Sequence, residues 1–267
     1  MVRRVRSIVL RAYREDEISE MIDHINKAFG STKYSRMKAR LLAVEVLRLL
    51  KPTLPYKILS RITGIQESVL CRYVRGNIIP NYEQAINLLA NITLSVDYDY
   101  LLRQLVEEEG SNIIDLSRVL KDPYVIRLLS IILMLKLLDK DITKILATAD
   151  SIVPLATLLG VELNIPVISI KKKAYPGVQY YQAIIPRSPK DTEVLYIDRD
   201  MINRKDKLLL LVDVVYTGRT LESIISMIDK SKAQISSIII ILALSDVWKT
   251  KFKEYNVTTL TRLPYPF

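Results

Sequence analysis

The chain has 267 residues, 49% of them hydrophobic, with 39 Lys+Arg against 29 Asp+Glu and a net charge of +10. That hydrophobic share excludes global disorder, and at roughly 150 residues per domain the length points to two domains, one small and one larger. One cysteine, Cys71, and one histidine, His24, exclude a disulfide framework, a four-cysteine zinc site and any chemistry needing two histidines.

Such cysteine usage fits a reducing cytoplasm. The longest apolar runs, around 131–135 and 238–244, fall short of the ~18–20 residues of a membrane span, and the start lacks the apolar stretch of a signal peptide. A cytoplasmic protein with no membrane partner is therefore expected. The charge is uneven. Residues 1–80 hold 16 Lys+Arg and 7 Asp+Glu, a surplus of +9, whereas residues 81–267 hold 23 and 22. A surplus confined to one end suits a polyanionic partner there.

In chain order, residues 1–14 carry Arg3, Arg4, Arg6, Arg11 and Arg14 among apolar residues and read equally as a basic arm or an edge strand. Ile18, Met21, Ile22, Ile25 and Phe29 then recur at helical spacing up to Gly30, a C-terminal cap. Ser35 caps a second helix that runs to Lys51-Pro52. Residues 54–80 predict a short helix, a turn at Gly64 and a second short helix ending at Gly76. Ile58, Leu59, Ile62, Ile65, Val69, Leu70 and Val74 supply the apolar seam. Gln66, Glu67, Ser68, Arg72, Tyr73 and Arg75 remain outward, with hydrogen-bonding and cationic groups of the kind that read base edges and phosphates. This segment resembles the helix-turn-helix of phage-repressor-like transcription regulators, with a following helix over 82–92.

Residues 93–112, with Asp97, Asp99 and the Glu107–Glu109 run, mark a domain junction. They divide the chain into a DNA-binding domain over 1–110 and a ligand-binding domain over 111–267. Residues 122–138 read as an almost wholly apolar helix, to be buried against a sheet or a second subunit. Candidate strands follow at 142–147, 167–170, 194–197, 208–212, 235–242 and 257–260, with helices at 153–163, 219–231 and 246–255. Continuous Leu/Ile/Val strands alternating with helices predict an α/β domain with a parallel sheet covered on both faces.

The strongest chemical signal is the apolar run from Leu208 ending in Asp213, followed by Tyr216-Thr217-Gly218-Arg219-Thr220 at the start of a helix. Backbone N–H groups, two hydroxyls and the positive end of the helix dipole make a phosphate cradle there, and Asp213 can accept sugar hydroxyls. This looks like the 5-phosphoribosyl-diphosphate (PRPP) motif of type I phosphoribosyltransferases, over roughly residues 140–267. The resemblance implies that Thr148, Ala149, Asp150 and Ser151 occupy the diphosphate loop after the first strand. It implies that Lys172 and Lys173, with Lys171, follow the second strand as diphosphate contacts, and that 174–191 forms the flap over the site. Three departures stand out: Val212 occupies the first acidic position of the motif, Tyr216 stands at the loop position that is often Asp or Thr and lies near the purine in some members, and Ser151-Ile152 replaces paired glycines. An apolar side chain holds no ribose hydroxyl and neutralises no developing charge.

The whole arrangement resembles archaeal phosphoribosyltransferase-like transcription regulators, an N-terminal all-α helix-turn-helix domain joined to a type I phosphoribosyltransferase-like domain; bacterial purine repressors share the layout with a winged helix. The resemblance implies a homodimer that binds double-stranded DNA and senses PRPP or a nucleotide, with Mg2+ entering with PRPP, no catalytic residue assigned and no metal site of its own. The alternative expectation is a working phosphoribosyltransferase of purine or pyrimidine salvage.

Overall fold

The computed structural model describes residues 13–100, 102–103, 116–188 and 191–263. The basic segment before residue 13, the Glu107–Glu109 run and the C-terminal aromatics Tyr265 and Phe267 lie outside those residues. Two compact units form: the N-terminal helices together with Arg127–Asp139, and residues 116–126 together with everything from Lys140 onward.

The first unit is helical. Helix α1 (Glu15–Phe29) buries Ile25 and Phe29. Helix α2 (Lys33–Leu50) is capped by Thr32, not by Ser35: the Thr32 hydroxyl accepts from the Ser35 N–H at 3.0 Å, and the Ser35 hydroxyl accepts from the Thr32 N–H at 3.1 Å. Ser35 is already the third helical residue, so the pair forms a reciprocal capping box. Helix α3 (Tyr56–Thr63) ends at Gly64, whose φ of 69° is the left-handed value a residue with a β-carbon resists. Helix α4 (Glu67–Arg75) follows, and α5 (Tyr82–Ser95) opens on an Asn81–Gln84 capping box. Leu59, Ile62, Leu70, Leu88, Leu89 and Ile92 form the core beneath.

A short helix, α6 (Leu116–Leu120), precedes α7 (Pro123–Lys136). The Asp122 carboxylate accepts from the Tyr124 N–H at 2.8 Å and Pro123 takes the first helical position, so the sequence marks this start twice. Arg127–Asp139 belong to the helical unit and not, as the expectation of burial against a sheet had it, to the α/β unit. A helix apolar all round packs wherever a hydrophobic face is offered. Here the Arg127 guanidinium fixes the choice with a two-pronged pair to Glu45 on α2, at 2.6 and 2.9 Å.

The second unit is built on a five-stranded, all-parallel sheet in the order β2-β1-β5-β6-β7. Its strands are β1 (Lys144–Ala147), β2 (Val167–Ser169), β5 (Lys207–Val215), β6 (Gln234–Ala243) and β7 (Val257–Arg262). Helix α8 (Val153–Leu163) crosses from β1 to β2, and α9 (Arg219–Ser231) from β5 to β6. Period-two alternation turns Leu208, Leu210 and Val212 toward the core formed with Ile224 and Ile228 of α9. Leu209 and Leu211 are buried on the opposite face. The expected α/β class with a central parallel sheet is what the structure shows.

Two expectations for this unit need correction. Residues 194–197 do not join the parallel sheet; β4 (Asp191–Asp198) pairs antiparallel with β3 (Tyr180–Ser188), so the flap segment is largely a hairpin. Its inner side, with Ile185, Leu195 and Ile197, packs into the α9 core. The helix predicted over 246–255 is a single tight turn, Val247–Thr250, followed by irregular chain. The Trp248 indole N–H donates to the Ser245 carbonyl at 2.8 Å and holds the segment in that turn.

Candidate functional site

Strand β5 is central, so its carboxyl end is flanked by the exits of β1 and β6, the place where open parallel sheets take ligands. A cavity of about 460 Å³ opens there. Of the twelve ligand-binding residues predicted in this unit, nine line it: Thr148, Ala149 and Lys172, and Asp213 with the run Tyr216–Thr220.

The loop before α9 has a fixed shape. Gly218 caps the helix with φ 76°, and a β-carbon there would meet Phe252 at 2.8 Å and Trp248 at 3.0 Å. Only glycine satisfies both the left-handed backbone and the close approach. The Ser245 hydroxyl donates to the Tyr216 carbonyl at 2.6 Å, which anchors the loop's other side. Trp248, Phe252 and Ser245 therefore brace the loop from behind. Thr217 and Thr220 are half-buried, whereas Tyr216 and Arg219 are exposed at the mouth. The start of α9 thus presents N–H groups, two hydroxyls and a guanidinium to one cavity.

The opposite wall is different. The Ser151 hydroxyl donates to Asp213 Oδ2 at 2.6 Å, tying the turn after β1 to the end of β5. Asp150, on the same turn, is exposed and does not line the cavity, nor does Ser151 itself. The Thr148 hydroxyl donates to the Leu211 carbonyl at 3.2 Å, which commits it to the backbone. Lys172 Nζ pairs with Glu193 Oε1 at 2.8 Å. Lys173 is exposed and away from the lining, and the Lys171 ammonium lies 5.1 Å from the centre of the Tyr175 ring. Val212 lines the cavity yet is only 5% exposed, its side chain shared with the α9 core.

Sequence reasoning missed the hairpin's share. Ile185, Pro186, Glu193 and Leu195 form part of the lining. The inward alternation of Glu193, Leu195 and Ile197 was a usable signal for Glu193.

In the helical unit, Gln66, Glu67, Ser68, Arg72 and Arg75 are exposed on or beside α4. Tyr73 is not outward as predicted: it is 3% exposed, and its hydroxyl donates to Gln84 Oε1 at 3.2 Å. It lies three residues after Leu70, hence on the same buried face. Burial raises its phenol above the usual tyrosine range, with Arg72 opposing the shift.

Among the described residues, no cluster of three or more His, Cys, Asp or Glu could hold a metal ion, and no helix is long and apolar enough to cross a membrane.

No family model matches the chain. The chain is 28% identical over 137 residues to the hypoxanthine/guanine phosphoribosyltransferase of Methanothermococcus okinawensis, an overlap covering 49% of this chain and 70% of the relative. Identity to the corresponding protein of Methanocella paludicola is 31% over 134 residues, covering 49% of this chain and 67% of that one. The adenine phosphoribosyltransferase of Thermoanaerobacter pseudethanolicus shares the fold, with a TM-score of 0.51 at 18% identity over 58% of this chain and 90% of that structure. Through its C-terminal part, the chain belongs to the phosphoribosyltransferase family and has its type I fold.

Proposed function

We propose that the protein is a cytoplasmic, homodimeric transcription regulator that binds double-stranded DNA through α4 and senses PRPP or a related nucleotide in the cavity at the end of β5, with little or no catalysis. The observation that carries the reading is Val212, an apolar and almost fully buried side chain in the lining, at the position where the motif calls for its first acid. A transferase must stabilise charge that develops on the ribose as the bond to diphosphate breaks, and an isopropyl group contributes nothing to that. Holding a phosphate needs only the groups around Thr217 to Thr220, which are present. Magnesium would enter on PRPP, met by Asp213 and the ligand's own oxygens.

Support for the DNA contact comes from the exposed Arg72 and Arg75, together with Gln66 and Ser68, in the part of the chain that holds the +9 surplus. A single helix reads only about four base pairs, so paired half-sites from a dimer supply the remaining specificity.

The alternative, an active salvage phosphoribosyltransferase, is favoured by Asp213 lining the cavity beside the Thr-Gly-Arg-Thr loop. Incubation with PRPP, magnesium and each free nucleobase separates the two. Diphosphate release should be absent or far below ordinary enzyme rates; turnover above about 1 per second would establish the enzyme and sink the regulator-only reading.

A further inference from the structure

Lys171 and Lys173 stand where the family resemblance implies diphosphate contacts, yet neither lines the cavity at the end of β5. Their surroundings lie on the β3–β4 hairpin, whose side chains alternate between two faces. Tyr181, Ala183 and Ile185 turn inward to the α9 core, as do Leu195 and Ile197 on the other strand. The even-numbered positions of both strands face the opposite way, and there Ile184 is 63% exposed. An antiparallel pair that packs by one face ordinarily carries polar groups on the other.

At the open end of the hairpin, that outer face interleaves tyrosines with cations. Tyr180 and Tyr196 meet edge to face, their ring centres 5.4 Å apart. Tyr175 joins them from the loop before β3, its N–H donating to the Tyr180 hydroxyl at 3.2 Å. Lys171 is fixed to β4 by a reciprocal backbone pair with Tyr196, at 2.9 and 2.8 Å, and its ammonium lies over the Tyr175 ring. Arg199 Nε donates to the Tyr180 carbonyl at 3.2 Å, and Lys173 is exposed two residues before Tyr175. Asp198, opposite Tyr180, has its carboxylate engaged by the Asp200 N–H at 3.0 Å. Tyr175 is the most accessible ring of the row, 57% exposed.

Rings on a strand pair, flanked by cations, suit unpaired nucleotides: a base stacks on each accessible ring and a phosphate meets each cation. A duplex gains nothing from the rings, because its bases are already stacked on one another, whereas RNA presents unstacked bases in loops and at ends. From this arrangement we infer that the outer face of the β3–β4 hairpin binds single-stranded RNA, with Tyr175 as the principal stacking residue and Lys171, Lys173 and Arg199 as the phosphate contacts. None of these side chains lines the cavity at the end of β5, so the site stands independently of what that cavity holds.

Fluorescence anisotropy with the full chain tests this, using a short labelled oligouridine and a DNA duplex as parallel probes. The wild-type chain should bind the oligouridine. Tyr175→Leu should weaken that binding about fivefold or more and Tyr175→Phe by less than about twofold, because phenylalanine keeps the stacking face and leucine keeps bulk alone. Lys173→Gln should weaken it about twofold or more and make it less sensitive to salt. All three positions' variants should bind the duplex as the wild type does, whereas Arg72→Ala should lose the duplex and keep the oligouridine. Tyr175 and Lys173 are exposed, so the unfolding midpoint should not move. Absence of oligouridine binding by the wild-type chain overturns the inference, as does unchanged affinity in Tyr175→Leu. An equal loss of oligouridine in Arg72→Ala assigns the strand to α4 and overturns it as well. If Tyr175→Leu converts a dimer to a monomer in sedimentation velocity, the face belongs to a second copy of the chain and the RNA site falls.

Discussion

Tyr73 and Arg72 are neighbours on α4 with opposite fates, and that contrast separates stability from recognition. Tyr73 is buried with its hydroxyl on Gln84, whereas Arg72 faces solvent. Tyr73→Phe should cost about 1 kcal/mol of stability through the lost hydrogen bond and leave DNA affinity unchanged, as chemical denaturation and gel shifts would show. Arg72→Ala should do the reverse, weakening DNA binding with no change in the unfolding midpoint. Unchanged gel shifts for Arg72→Ala would remove α4 from the interface. The Thr-Gly-Arg-Thr loop supports a parallel prediction. Thr217→Val and Thr220→Val keep the side-chain shape and delete a hydroxyl each. Calorimetry should record loss of phosphate-ester binding, with DNA affinity in the absence of ligand near its original value; retained ligand affinity would show that the hydroxyls are not the cradle.

Helix α8 is held to the sheet by a contact that leaves no room for a side chain. A β-carbon on Gly160 would lie 2.4 Å from Val167 Cγ2 and 3.0 Å from the Ile165 carbonyl, so α8 rides directly on the chain entering β2. Gly160→Ala should destabilise the second unit by about 1–3 kcal/mol despite alanine's better helix propensity. A thermal midpoint equal to or above the wild type would contradict that packing. The same element was easy to read in the sequence, since Pro154 and the apolar run from Val153 to Leu163 mark it at both ends. Strands β5 and β6 were equally legible, because unbroken Leu/Ile stretches of that length suit a strand buried on both faces. Elsewhere local pattern was too weak. The β3–β4 hairpin alternates inward apolar residues with exposed ones such as Ile184 and carries Pro186, so its first strand looked like loop. Tyr73 was misplaced because its hydroxyl suggested solvent, when its spacing from Leu70 pointed inward. At the site, the loop residues and Asp213 could be read from type and order alone. Trp248 and Phe252 could not, as they reach it only through tertiary packing.

For the whole molecule, the uneven charge is the property that makes the proposed DNA contact measurable. A duplex bound through several phosphate contacts releases counterions, so affinity should fall about tenfold or more between about 50 and 200 mM salt. A flat response in a titration would argue against a polyanionic partner for the first 80 residues and their +9 surplus. The way the chain divides into its units has a practical corollary. Because Arg127–Asp139 is built into the helical unit, the residues that complete that unit come after residues 116–126, which belong to the other. A fragment cut at residue 110 would therefore lack Ile131, Leu133 and Leu135 and the partner of Glu45, and would emerge from expression with a vacant apolar groove prone to self-association. A fragment carried through Asp139 would keep that groove filled, and is the piece to prepare when the helices are studied alone.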